Sequence, residues 1–117
     1  MLTPKRLAAV YECLRQYPPF NRYSLPPASG VEFGLVRKND RSGDYIYFIR
    51  NLDSHLIRVN PDWNGHFDSV VMTMAHEMLH LHQRVRRLDS RTEHNADFRA
   101  KARRICTRFG WDFKRFV

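Results

Sequence analysis

The run from Val70 to Leu81 leaves this 117-residue chain few folds to choose from. Val70, Met74, Met78, Leu81, Val85 and Leu88 recur at helical spacing, and Met72 and Leu79 add apolar bulk on another side. The spacing predicts a helix over 68–87, capped by Asp68 or Ser69. Its first four turns are apolar nearly all round, so the helix must lie buried between two layers. From Gln83 to Arg87 it turns polar and is expected to emerge into solvent.

Inside that run stand His76, Glu77 and His80 in the pattern His-Glu-x-x-His. Residues four apart share a helix face, so the two imidazoles can address one metal ion. Glu77 lies about 100° round the helix, beside the ion, where it can act on a metal-bound water as general base. Zinc in a catalytic site takes three protein ligands and keeps a position for water. The third ligand must come from elsewhere. His94 ranks first, fourteen residues beyond His80 and at the start of a predicted helix, with Glu93 and Asp97 as the acids near enough to compete. Asp97 can instead orient a ligand histidine. A metzincin pattern is excluded, because the positions of its third histidine and its glycine are Arg86 and Gln83. His82 points about 200° away from His80. With His55 and His66 it reads as an ordinary polar histidine.

Around this helix the remaining elements fall into order. Thr3, Pro4, Leu7, Val10, Tyr11 and Leu14 predict an N-terminal helix over 4–16, stopped by Pro18-Pro19. Strands are predicted at 31–36, 44–50 and 55–60. Asn39-Asp40-Arg41-Ser42-Gly43 reads as the turn of a hairpin joining the first two, and the short gap after the second favours an antiparallel third. Tyr45 and Tyr47 share a sheet face, base stacking being the alternative use of such a pair. His55, Ile57 and Val59 share a face of the third strand. A last helix over 93–109 has Thr92 as cap, Phe98, Ala102, Ile105 and Phe109 as buried stripe, and Gly110 as C-terminal stop. The tail 111–117 is expected to fold back. The expectation is one α+β domain over 1–117, with a three-stranded antiparallel sheet flanked by helices.

Composition narrows the partners. Residues 1–83 hold nine Lys/Arg against eight Asp/Glu, a balance of +1, and residues 84–117 eleven against four, a balance of +7. A cationic surface after the metal helix suggests a polyanion, nucleic acid first, through Arg99, Lys101, Arg103, Arg104, Arg108, Lys114 and Arg115. A solvated helix face is the plain alternative. Cys13 and Cys106 form no Cys-x-x-Cys pair, so they build no zinc ribbon and are expected to be small buried hydrophobes. No membrane span and no signal-peptide core are seen, and a cytoplasmic protein is expected.

The run Ile57-Arg58-Val59-Asn60-Pro61, then Thr73-x-x-His76-Glu77-Met78-x-His80, then His94-x-x-x-Phe98, resembles the SprT-like metalloprotease domain over about residues 55–109. The resemblance implies a small zincin-like fold, zinc on His76, His80 and His94, Glu77 as general base, and hydrolysis of peptide bonds. Spartan-type members of that family cut proteins trapped on DNA. Many members place glycine after the third histidine, where this chain has Asn95. The competing expectation is a nucleic-acid-binding module with a metal-stabilised, catalytically inactive core.

Overall fold

A computed structural model describes residues 1–117, the side chain of Leu52 excepted. Helix α1 spans Pro4–Arg15. Its N-terminus is satisfied by the Thr3 hydroxyl, which accepts from the Arg6 amide at 3.2 Å, and by Pro4, which needs no partner there. Leu7, Tyr11 and Leu14 bury its inner face. Short 3-10 turns at Phe20–Arg22 and Ala28–Gly30 lead into strand β1, Glu32–Leu35. Strands β2, Gly43–Phe48, and β3, Asn51–Val59, complete the sheet.

The sheet order is β1-β3-β2, with β1 parallel and β2 antiparallel to β3. The sheet is therefore mixed, and the expected wholly antiparallel arrangement is corrected. The expected hairpin between β1 and β2 does not form, because β3 lies between them. The side chain of Asn60 is the local cause. Its amide donates to the carbonyls of Lys38 and Arg41 at 2.7 and 3.0 Å, so the stretch 36–42 wraps over the end of β3 instead of doubling back. The true hairpin joins β2 to β3 through Ile49 and Arg50, with a register irregularity beside Phe48. This turn carries no Asn-Gly or Gly-rich signature, and residues 51–54, expected to be a gap, extend β3. The expected shared face of β3 is buried: Ile57 and Val59 are fully enclosed and His55 nearly so.

Helix α2 spans Phe67–Val85 and packs on β2 and β3, with α1, which also packs on β1, beside it and with α3 and α4 against it. It starts at His66, which makes no side-chain cap, in place of the expected Asp68 or Ser69. Val70, Met74, Met78, Leu79 and Leu81 are buried, whereas Val85 and Leu88 at the end of the stripe are exposed. Burying each such side chain contributes about 1.5–3 kcal/mol. The helix ends with Arg87 in the left-handed region at φ 57° and the Leu88 amide donating to the Gln83 carbonyl at 2.7 Å. Helix α3, Ala96–Phe109, closes the far side through Phe98, Ala102 and Ile105. It begins three residues later than expected, capped by Asn95 and not Thr92. Gly110, at φ 73°, ends it as expected. The tail turns back as helix α4, Phe113–Phe116, with Phe116 buried. Cys106 is buried, but Cys13 is exposed on α1, against the expectation for both. Among the described residues no helix is long and apolar enough to cross a membrane.

Candidate metal centre and cleft

The helical spacing does what its geometry requires. His76 and His80 lie one turn apart on α2, and their Nε2 atoms approach to 3.2 Å. Nitrogens sharing one tetrahedral zinc at about 2.0–2.1 Å stand about 3.3 Å apart. His94 reaches the same point from the connection before α3, its ring centroid 5.0 Å from that of His76 and 5.2 Å from that of His80. One ligand atom from each of the three lies within 4.8 Å of the others, close enough to hold a metal ion. Glu93 and Asp97 do not join this group among the described residues.

The chemistry of the donors suits a cation. Burial pushes the His80 imidazole down to about 3, with His76 and His94 adding to the effect. Burial likewise lowers His76 to about 4, against the pull of a hydrogen bond from its Nδ1 to the Phe116 carbonyl at 2.7 Å. His94 is lowered for the same first reason. All three rings are therefore neutral near pH 7, the state in which an imidazole is a ligand. The Phe116 carbonyl facing His76 Nδ1 can only accept a hydrogen bond. The Phe98 ring packs on all three imidazoles, at 5.2, 4.5 and 4.6 Å between centroids.

Glu77 is buried on α2 beside the histidines, and burial raises its carboxyl well above the ordinary range, with Asp44 and Glu93 adding repulsion. A carboxylate whose proton affinity is raised in this way is a stronger base than a free one. Its neighbour across the cleft is Gly43, at the start of β2. A β-carbon there would stand 2.7 Å from both the Arg58 carbonyl and the Thr73 side chain, and 3.4 Å from Glu77 Oε2. Glycine is needed here for space, so that the edge strand can lie against the helix turn that carries Glu77. Arg58 clamps Asp44 in two hydrogen bonds, at 2.8 and 2.6 Å, just beyond. A cleft of about 920 Å³ runs along β2 and over the three histidines, and includes Glu77, Tyr45, Tyr47, Arg84 and Arg115 in its walls.

Two residues that hold His94 in place were not foreseen. Gln83, expected in solvent, is buried, and its amide donates to Asn95 Oδ1 at 2.9 Å and Asp97 Oδ2 at 3.1 Å. Asn95 accepts from the Phe98 amide and donates to the Leu88 carbonyl and Ser90 hydroxyl. The connection carrying His94 is thus tied at both ends to α2 and α3. Asp97 orients Gln83 and Lys101 instead of a histidine. The available signal was an Asn three residues before Phe98, which is cap spacing; Gln83 had none. Asn64, at the head of α2, accepts from Thr73 at 2.9 Å and donates to the Ser42 and Asn60 carbonyls, fixing the loop that leads to Gly43.

The other histidines stay outside the cluster, as expected, although two are buried. His55 bonds the Tyr45 hydroxyl through Nδ1 at 2.7 Å. His82 stacks on Tyr23 with centroids 3.8 Å apart and is pushed down to about 4, chiefly by burial. Tyr45 and Tyr47 lie on one sheet face with Tyr47 under the Arg84 guanidinium at 3.9 Å. The basic residues divide. Arg104, Arg108 and Lys114 are exposed. Arg99 and Arg103 are exposed too, but rest on the Phe113 ring at 5.2 and 4.1 Å. Lys101 is drawn in by Asp97 at 3.0 Å, and Arg115 sits at the cleft. Comparison with protein-family models, curated proteins and solved structures found no match to this chain.

Proposed function

We propose that the chain is a zinc metallopeptidase of the zincin kind, organised like the SprT-like domain that its motifs resemble. One observation carries the reading: three neutral imidazoles converge beside a buried glutamate whose proton affinity is raised, on a cleft walled by an edge strand. The donor set is wholly imidazole nitrogen, which suits zinc. Zinc held there by His76, His80 and His94 supplies Lewis acidity and lowers the pKa of water. Glu77 does the proton work. Its carboxylate accepts a proton from the attacking water and returns it to the leaving amine nitrogen. The free edge of β2 offers backbone donors and acceptors to an extended peptide, which fits a protein or peptide substrate.

The test is a Glu77→Gln variant that keeps its metal. Cleavage of an unstructured protein should fall about 10²–10⁴-fold while bound zinc stays at parity. Equal cleavage by the two proteins refutes the protease reading. The exposed Arg99, Arg103, Arg104, Arg108 and Lys114 favour DNA as a second partner. Phosphate-driven binding should weaken steeply with salt. Salt-sensitive DNA binding by a metal-loaded chain that cleaves nothing favours the alternative, a nucleic-acid module with a metal-stabilised core.

A further inference from the structure

The terminal helix α4 lies far in sequence from the metal motif, yet it touches the first ligand directly. The hydrogen bond from His76 Nδ1 to the Phe116 carbonyl spans forty residues. We propose that α4 is a positioning element for the metal centre: the Phe116 carbonyl holds His76 in its Nδ1–H form, so that Nε2 faces the ion as a lone pair. The proposal rests on the metal-centre reading above.

Three observations support it. The tautomer of a buried imidazole is set by the hydrogen bond its other nitrogen makes, and His76 is enclosed by α2, Phe98 and Phe116. Second, the carbonyl does not hang on a loose end. The Asp112 carboxylate caps α4 by accepting from the Lys114 amide at 3.2 Å. The Phe113 ring lies under the guanidiniums of Arg99 and Arg103 on α3, and Phe116 is buried with Trp111 stacked on it at 5.9 Å. Third, the labour is divided. Phe98 fixes the planes of all three rings by contact, but an aromatic ring cannot choose which nitrogen carries the proton. That choice falls to a backbone oxygen, which no side-chain substitution removes.

Two measurements test this. In the metal-free intact chain, nitrogen–proton correlation spectra of the imidazoles should show His76 protonated on Nδ1; protonation on Nε2 overturns the proposal. Zinc affinity is then compared, by competition with a chromophoric chelator, in the intact chain, in Phe116→Ala and in a chain lacking Phe116 and Val117. Both variants lose the buried ring, but only the deletion loses the carbonyl. The deletion should bind zinc about 10–100-fold more weakly than Phe116→Ala, as removal of a partner of a ligand histidine does. Equal affinities in the two variants overturn the proposal alone. An intact chain that takes up no zinc overturns the metal-centre reading and the proposal with it. If the deletion fails to fold, the tautomer measurement decides.

Discussion

Gly43→Ala is the sharpest perturbation the structure offers, because one methyl group meets two things that cannot both yield. The new β-carbon would lie 2.7 Å from the Arg58 carbonyl and 2.7 Å from the Thr73 γ-methyl. The carbonyl belongs to β3, to which β2 is paired at Gly43–Val59 and Asp44–Arg58. Thr73 is held by its hydroxyl's hydrogen bond to Asn64. Relief therefore means moving the start of β2 away from α2, at an overpacking cost of about 1–3 kcal/mol. For a chain of this length 1 kcal/mol corresponds to about 4 °C in Tm, so the drop should be about 4–12 °C. Thermal unfolding of the metal-free protein, followed by circular dichroism, measures the Tm drop, and urea unfolding the free-energy cost. Gly65→Ala is the control, since nothing lies within 4 Å of its β-carbon position. A Gly43→Ala protein within about 0.5 kcal/mol of wild type, the scatter of ordinary surface changes, refutes the close-approach argument.

His94→Ala should leave two imidazoles on α2 and remove the third; zinc at 100 times the wild-type Kd stabilises the intact site by about 2.7 kcal/mol, and most of the resulting Tm rise should vanish in the variant. A full zinc-induced rise in His94→Ala would exclude that residue as a ligand. Asn95→Ala removes both the cap of α3 and the anchor of the His94 connection, and should cost about 0.5–2 kcal/mol in urea unfolding. The Glu12 carboxyl is held below its ordinary value of 4.5, chiefly by the Ala28 amide, with Arg15 adding to it. A carboxyl lowered by folding stabilises above its unfolded pKa and loses that contribution as pH falls through its folded pKa. Glu12→Gln should therefore be less stable at pH 7, with the gap closing below about pH 4; a gap independent of pH would show that the charge is not what Glu12 contributes.

Local periodicity made α1, α2 and α3 legible, together with the pairing of His76 and His80, because helical spacing alone decides which side chains share a face. Gly110 was legible as the end of α3 for a similar reason: a left-handed C-cap suits a residue without a side chain. The strands were legible in place but not in partner. Strand order depends on where chain segments meet in space, and the Asn60 amide that diverts 36–42 looked like any polar residue at a strand end. His94 could be nominated by residue type and distance, whereas its arrival beside His76 and His80 depends on the Gln83–Asn95–Asp97 hydrogen bonds between two helices. Likewise, Gly43 read as part of a turn until Thr73 and Arg58 were seen to crowd it, and nothing near Phe116 in sequence announced that its carbonyl serves His76. By itself the sequence determined the periodic elements and the pair of histidines on one face. The tertiary structure decided the mixed sheet, the third imidazole and the proton on the first, since those depend on contacts between residues ten to forty positions apart.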